Sequence, residues 1–228
     1  MAQVETIRTT GYVFKGFTKV TIRESRDDNP FPIATIYNLE KSARHVFPEE
    51  ITEAITLLDA TDRAEVSIEI LVPSDGEFEC TVNGADKLEV IGINTDHFNL
   101  SATGICEKVS IRQCWISRFV DIRSVGDLEI IDSKFTEELS VTSEDRRIRM
   151  NDVFAPNIAN VSVLGGSILF GGKCDGEFRV STDSARVQFE SSDMILSDII
   201  DIHTNSGNVC LQRDGHFRVR THSGNLYG

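Results

Sequence analysis

The sequence predicts a mainly β protein: a parallel β-helix of about eight coils preceded by a small N-terminal α+β cap. Two observations predict the β-helix. From Phe78 to the C-terminus, a pair of apolar residues separated by one other residue returns about every 20 residues, and a second such pair follows each first pair. The segments that carry the pairs are short and are separated by turn residues. A repeat of this length with short strands is typical of a parallel β-solenoid, in which coils bury their apolar side chains by stacking on one another.

The pairs define the predicted strands of each coil. The first pairs are Phe78/Cys80, Phe98/Leu100, Val120/Ile122, Leu139/Val141, Val161/Val163, Phe178/Val180, Ile200/Ile202 and Phe217/Val219. The second pairs are Leu88/Val90, Val109/Ile111, Leu128/Ile130, Ile148/Met150, Ile168/Phe170, Val187/Phe189 and Val209/Leu211, with a partial copy at Leu226. Because side chains alternate along a strand, the apolar residues face inward and the residue between them faces outward. We assign residues 77–228 to the β-helix.

Residues 1–76 lack the repeat and are predicted to form the cap. Alternating apolar residues indicate strands in this segment, and residues 48–58 predict a helix. Pro48 suits the first turn of a helix, acidic residues follow it, and Ile51, Ile55 and Leu58 share one helical face. Such a cap fits the need to cover the unpaired strand edges of the first coil.

Three segments near the C-terminus are nearly superimposable. They begin at Val180, Ile202 and Val219, and each places Thr, Ser and then Ala or Gly at the same stations. The Thr-x-Ser-Gly-Asn-apolar segments at 204–209 and 221–226 resemble the rungs of bacterial putative-adhesin β-solenoids and of the polymer-forming bactofilins. The resemblance covers about residues 178–228. It implies the β-solenoid fold, and because the motif is a structural rung it implies no site.

Composition narrows the classes of function. The net charge of -13 opposes nonspecific binding to nucleic acid or to anionic membranes, which reward Lys and Arg. No basic-then-apolar leader and no apolar run of membrane-spanning length is visible. The five cysteines include no CxxC spacing and suit reduced thiols. We therefore expect a soluble, cytoplasmic protein.

Neither a metal nor a cofactor is predicted. His203 and His222 fall on different stations of the repeat, so they and His216 do not form a ligand set. The glycine pairs at 165–166 and 171–172 lack the spacing of a phosphate-binding loop.

Outward-facing carboxylates were the candidates for catalysis. The repeat places Glu79 and Asp121 two coils apart in one outward column, and Glu89 and Glu129 two coils apart in another, about 9–10 Å in each case. That separation suits an inverting glycoside hydrolase, and Asp201 is a further acid in the first column. No acids occupy adjacent coils of either column, and Trp115 stands without an aromatic ridge for sugar stacking. We predict a non-enzymatic protein, with a carbohydrate-active β-helix as an alternative.

The C-terminal end predicts self-association. The last partial coil stops at Leu226-Tyr227-Gly228, with no helix or polar tail to cover it. An uncovered coil leaves unpaired backbone groups and apolar surface, which favours a two-fold contact between copies. The predicted contact residues are Phe217, Val219, Leu226 and Tyr227, and the predicted protein is a homodimeric scaffold or protein-interaction module.

The N-terminal region predicts a second interaction surface. Between His45 and Glu79 the chain has ten acidic residues and one basic residue, Arg63. A solvated surface explains such a run. The alternative function is an acidic nucleic-acid mimic, of the type found in phage and viral inhibitors, that occupies a basic DNA- or RNA-binding protein. Its predicted contact residues are Glu49, Glu50, Glu53, Asp59 and Asp62.

Overall fold

The computed structural model describes residues 2–3, 11–26, 32–38, 48–51, 55–60, 66–74, 78–95, 98–116, 119–155, 158–174, 177–189, 200–211 and 217–228. These residues form β-strands joined by bends and turns, and no helix occurs among them. The described part of the chain thus contains no helix that is long and apolar enough to span a membrane.

Twenty-three strands make one sheet that winds around a single core. The first seven are β1 Ala2–Gln3, β2 Gly11–Glu24, β3 Ile33–Asn38, β4 Pro48–Ile51, β5 Ile55–Asp59, β6 Val66–Val72 and β7 Phe78–Ile91. The next eight are β8 Asn94–Thr95, β9 Phe98–Ile105, β10 Lys108–Arg112, β11 Trp115–Ile116, β12 Val120–Ser124, β13 Asp127–Phe135, β14 Leu139–Ser143 and β15 Arg147–Ala155. The last eight are β16 Ile158–Val163, β17 Ser167–Cys174, β18 Glu177–Thr182, β19 Arg186–Phe189, β20 Ile200–Thr204, β21 Val209–Cys210, β22 Phe217–Thr221 and β23 Leu226–Tyr227.

From residue 78 onward the strands stack in parallel on three faces, which confirms the predicted β-helix. Face one holds the first half of β7 followed by β9, β12, β14, β16, β18, β20 and β22. Face two holds the second half of β7 followed by β10, β13, β15, β17, β19, β21 and β23. Face three, among the described residues, holds only β8, β11 and the ends of β13, β15 and β17. Complete three-sided turns are therefore fewer than the eight coils predicted.

Residues with a left-handed backbone make the corners between faces. Gly84, with φ 70°, bends β7 from face one to face two. At the corner from face two to face three, Gly92 (φ 64°), Gln113 (φ 54°), Asp132 (φ 48°) and Asp152 (φ 52°) occupy successive coils. Glycine adopts this conformation without steric cost, and Asp tolerates it better than most residues.

The core is a continuous column of apolar side chains inside the sheet. Inward residues of successive coils meet directly. The rings of Phe78 and Phe98 stack with centroids 6.0 Å apart and planes 4° from parallel. Both side chains are buried. Burial of each such ring stabilises the fold by roughly 2–3 kcal/mol, so the coils hold one another together mainly through apolar contact.

The helix predicted over residues 48–58 is wrong. Pro48–Ile51 and Ile55–Asp59 are strands, paired antiparallel with each other. Strand β5 also lies parallel to β2, with Ile55 opposite Gly11, and Leu58 is fully buried. Tertiary pairing has overridden the helical spacing of the apolar residues, because the sheet pairs the backbone of these strands and buries Leu58.

The N-terminal segment continues the parallel stack instead of forming a separate α+β layer. Strand β2 lies parallel to β7 over its whole length, and on its other side it pairs with β5 and β6. Antiparallel strands cover this end of the stack: β3 lies on β6, β1 on β3, and β4 on β5. The division of the chain into domains 1–76 and 77–228 stays a prediction.

The predicted register differs from the structure in three places. Val120 lies opposite Leu100, and both Leu139 and Phe178 lie opposite Ala159, each shifted by two residues from the predicted pairing. A shift of two keeps the inward side chains inward, but it moves the outward columns. Glu79 pairs with Asn99 and does not share the column of Asp121.

Candidate functional site: the terminal rung and the outer faces

The structure brings the four predicted self-association residues together on the last rung. This terminal rung, formed by β22 and β23, pairs on one side only, with β20 and β21. Phe217 and Val219 lie opposite Ile200 and Ile202, and Leu226 lies opposite Val209, so all three occupy inward stations. Tyr227 lies opposite Cys210 in an outward column.

Side chains on the terminal rung are much more exposed than the same stations elsewhere. Ile200, Ile202 and Val209 on the preceding rung have at most 1% of their surface exposed. Leu226 is 55% exposed and Tyr227 52% exposed. Phe217 contacts Phe189, with ring centroids 5.3 Å apart, and is only partly buried. The terminal rung thus presents apolar surface along the solenoid axis.

Backbone groups on the terminal rung repeat the pattern of the preceding rungs. The Val187 amide donates to the Asn208 carbonyl at 2.9 Å, and the Val209 amide donates to the Asn225 carbonyl at 2.9 Å. The equivalent amide on the terminal rung belongs to Leu226. Among the described residues, β23 pairs with β21 alone.

The Thr-x-Ser-Gly segment builds the corner of these rungs. The Gly207 amide donates to the Thr204 hydroxyl oxygen at 2.8 Å, and the Gly224 amide donates to that of Thr221, also at 2.8 Å. A side chain at Gly207 would place its Cβ 2.0 Å from the Ala185 carbonyl oxygen. The threonine therefore closes the turn, and the glycine permits the close approach of the preceding rung.

Of the predicted acidic surface, the structure describes one side chain. The Asp59 carboxylate lies 2.7 Å from the Lys15 ammonium, and the Asp59 side chain is only 11% exposed. Glu49 and Glu50 lie in β4, where only the backbone is described, whereas Glu53 and Asp62 lie outside the described residues. The acidic surface as a partner-binding site stays a prediction.

Carboxylates considered for catalysis have basic neighbours. The Glu89 carboxylate lies 2.7 Å from the Lys19 ammonium. The Asp121 carboxylate lies 3.3 Å from the Arg123 guanidinium, and its Oδ1 is buried without a hydrogen-bond partner among the described residues. Asp201 lies 4.0 Å from the Arg218 guanidinium. Each of these three carboxylates therefore lies beside a basic side chain.

Of these carboxylates, that of Glu129 has the largest number of basic neighbours. Its carboxylate lies 3.0 Å from the Lys108 ammonium, 2.8 Å from the Arg112 guanidinium and 3.9 Å from that of Arg149. Hydrogen bonds from Lys108 and Arg112 lower the pKa of Glu129, against the opposing effect of its burial. A general acid for glycoside hydrolysis needs a raised pKa. Glu129 is therefore suited to joining three strands of face two, not to donating a proton.

Trp115 shares a lysine neighbour with a second aromatic side chain, Phe154, which the sequence repeat did not reveal. On face three it lies opposite Lys134, which in turn lies opposite Phe154. The Lys134 ammonium sits 4.5 Å from the centre of the Trp115 ring and 5.1 Å from that of Phe154. Cation–π attraction therefore links three coils on this face. A shallow groove of about 470 Å³ runs beside them, past Asp132 and Asp152.

Sequence reasoning also missed the corner residues beside this groove. Gln113, Asp132 and Asp152 are exposed and have positive φ on successive coils. Asp132 and Asp152 sit at equivalent positions of neighbouring strands, because Ile131 lies opposite Asn151 and Lys134 opposite Phe154. The signal available in the sequence was an aspartate two positions after each of two consecutive second pairs, Leu128/Ile130 and Ile148/Met150.

Comparison with known proteins identified no relative of this chain. No protein-family model, no curated protein and no solved structure matches the chain.

Proposed function

We propose that this protein is a non-enzymatic β-solenoid scaffold that self-associates through its terminal rung. The observation that carries the proposal is the exposure of Leu226 and Tyr227, at 55% and 52%, on a rung whose strands are paired on one side only. Exposed apolar side chains beside an unpaired strand edge favour association with another sheet edge. The proposal includes the cytoplasmic location predicted from the sequence.

A second copy of this chain is the partner that fits the terminal rung best. Its own terminal rung offers the same apolar side chains and the same unpaired backbone groups, so a two-fold contact is self-complementary. The two edges would meet antiparallel, which is the orientation that a two-fold axis perpendicular to the solenoid axis gives.

The opposite end of the stack favours a closed dimer over a filament. Strands β3 and β4 lie antiparallel on β6 and β5 and occupy the edges that a head-to-tail contact would need. A filament requires both ends of each copy to pair, whereas a two-fold dimer requires only one. We therefore propose a dimer with the terminal rungs at its centre.

The pairing of the carboxylates supports the non-enzymatic part of the proposal. Glu89, Asp121, Glu129 and Asp201 each lie within 4.0 Å of a basic side chain. Of these, the Glu129 carboxylate has a pKa lowered by its basic neighbours. A carboxylate that is kept ionised in this way is a poor proton donor.

Analytical ultracentrifugation at micromolar concentration tests the proposal. The intact chain should sediment with twice its mass of 25.4 kDa. Leu226→Lys should give a monomer, because it places a charge at the centre of the contact. Leu164→Lys is the matched control: Leu164 is 59% exposed, but it lies at a corner on the side of the solenoid, so this variant should remain a dimer.

Two results would contradict the proposal. A wild-type chain that remains monomeric throughout the micromolar range has no terminal-rung dimer. A dimer that Leu226→Lys leaves intact while Leu164→Lys dissociates it uses the side of the solenoid instead. Circular dichroism of both variants checks that the strands have formed.

A further inference from the structure

A column of hydrogen-bond donors runs along the outer surface of face one toward the C-terminus. On successive strands it consists of Thr142, Ser162, Ser181, His203 and Arg220, each opposite the next. We call these five residues the donor column. All five face outward, so the sheet fixes their spacing at about 4.8 Å per rung.

None of the five side chains of the donor column forms a hydrogen bond or an ion pair with another described residue. Face two is different, since its basic residues are paired. There, Lys19 contacts Glu89, and Lys108 and Arg112 both contact Glu129. The donor column is thus a row of donors whose partners the chain does not supply within the described residues.

The adjacent outward column adds three more polar side chains to this surface. Arg179 lies between Asn160 and Asp201 on neighbouring strands. Its guanidinium contacts Glu177 through two nitrogens, each 2.8 Å from the same carboxylate oxygen. Together with the donor column, Asn160, Arg179 and Asp201 line a groove of about 310 Å³. This volume is at the lower end of the range for small-molecule sites.

The chemistry of the groove matches a tetrahedral oxyanion. A guanidinium group presents a fork of N–H donors that fits phosphate oxygens, and imidazole and hydroxyl groups donate to the same atoms. Arg220 has no acidic partner among the described residues, so its fork remains available. Asp201 supplies one acceptor carboxylate within the groove and lies 4.0 Å from the Arg218 guanidinium, whereas His203 and Arg220 have no acidic partner among the described residues.

The net charge of the protein favours a compact anion over a long polyanion as the ligand. The protein carries -13, so a long polyanion such as DNA would be repelled along most of the surface. A compact anion is repelled less, because charges farther away than about 8–10 Å are screened at physiological ionic strength. We propose that the groove of face one binds a small phosphorylated molecule, with its phosphoryl group on Arg220, His203 and Ser181.

Isothermal titration calorimetry of the full chain with three probes tests this proposal: inorganic phosphate, tripolyphosphate and ATP. Binding of at least one probe is expected, and Arg220→Gln should weaken it at least about tenfold by removing a charge-assisted contact. Asp201→Asn should strengthen it severalfold, because it removes a negative charge from the groove. Arg147→Gln is the matched control: it removes an exposed arginine from face two and should leave the affinity unchanged.

The three probes separate the sources of the phosphoryl group. Comparable binding of phosphate and ATP indicates a site that reads the phosphoryl group alone, whereas binding of ATP only indicates that the rest of the molecule is read as well. Ser181→Ala and His203→Gln provide independent tests should Arg220→Gln disturb folding of the terminal rung. Each should weaken binding severalfold.

Absence of binding for all three probes at millimolar concentration would overturn the proposal. Equal losses in Arg220→Gln and Arg147→Gln would also overturn it, because binding would then follow overall charge. Tighter binding of a short DNA duplex than of any probe, with the same dependence on Arg220, would refute the compact ligand.

Discussion

The Thr182 hydroxyl lies 3.1 Å from the Thr204 hydroxyl on the next rung, in a side-chain hydrogen bond buried inside the solenoid. Thr204 also accepts the Gly207 amide at 2.8 Å. One hydroxyl therefore joins two rungs and closes a corner at the same time. A two-residue slip of β20 against β18 would break the contact between the two threonines, so the pair fixes the register that apolar alternation alone leaves open.

Thr204→Val should destabilise the protein by about 1–3 kcal/mol, because it leaves the buried Gly207 amide without an acceptor. Thr221→Val removes the same contact with Gly224, but on the exposed terminal rung, where water can replace it. We expect the second variant to lose less than about 0.5–1 kcal/mol. Chemical denaturation of both variants measures the difference. Equal losses of stability in the two variants would mean that burial does not determine how much this hydrogen bond contributes to the free energy of unfolding.

Gly207→Ala should destabilise the protein by about 3 kcal/mol, because the added Cβ would lie 2.0 Å from the Ala185 carbonyl oxygen and must push the rungs apart. Gly84→Ala is the matched control. Gly84 has φ 70° and no atom within 4 Å of an added Cβ, so it should lose only the roughly 1–2 kcal/mol of a left-handed alanine. Thermal unfolding followed by circular dichroism ranks the two. The reverse ranking would contradict the packing seen at Gly207.

Glu129→Gln should reduce stability at neutral pH and have little effect in acid. Its folded pKa lies below the ordinary value of 4.5, so the carboxylate contributes stability above that value, and the contribution is lost as the pH falls through the folded pKa. The variant also leaves Lys108, Arg112 and Arg149 without their shared anion. We expect a loss of roughly 1–2 kcal/mol at pH 7.

The measurement is the free energy of unfolding of wild type and variant between pH 3 and pH 7. Glu144→Gln serves as the control, because Glu144 is exposed and the variant should unfold with the same free energy as wild type. A difference between Glu129→Gln and wild type that is as large at pH 3 as at pH 7 would mean that shape, not charge, is responsible.

Cysteine alkylation should separate the thiols of Cys106 and Cys114. Cys106 is exposed, whereas burial raises the pKa of Cys114 to about 11 and also raises that of Cys80. A rise from 9 to about 11 leaves about 100-fold less thiolate, and thiolate is the form that reacts. Iodoacetamide labelling at pH 8, followed by peptide mass spectrometry, should therefore modify Cys106 at least about 100-fold faster. Similar rates would imply that the core opens frequently.

The sequence was sufficient for the architecture because the apolar repeat is the physical cause of the stacking. Coils of about 20 residues with two alternating pairs can bury those pairs in few other ways. The terminal rung was predictable for the same reason, since Phe217, Val219 and Leu226 continue the pattern. Their exposure follows from the lack of a further rung among the described residues.

What alternation did not determine was the register. Phe98, Leu100 and Ala102 all alternate inward, so two pairings with Val120 bury equally apolar residues. The structure selects Leu100, and the outward column of Asp121 changes with it. The donor column could not be predicted from the sequence for the same reason. Its members Thr142 and Ser162 lie opposite each other only in the shifted register between β14 and β16.

Residues 48–58 show a different limit. Ile51, Ile55 and Leu58 have helical spacing, but residues 55–59 pair with residues 11–15 of β2, which lie 44 positions earlier in the chain. The spacing of apolar residues within a segment indicates which secondary structure that segment favours in isolation. Pairing with a distant strand offers more buried area and more backbone hydrogen bonds, and no short window of sequence contains that information.

Strand β2 lies between β7 on one side and β5 with β6 on the other, so the order of strands along the chain is not their order along the solenoid axis. In a solenoid that winds steadily from one end, trimming the N-terminus would only shorten the rod. Here the loss of residues 11–24 would take away an interior layer, and the β5–β6 layer would have to dock directly onto β7 or detach. Residues 11–24 are therefore held on both sides by strands that come later in the sequence.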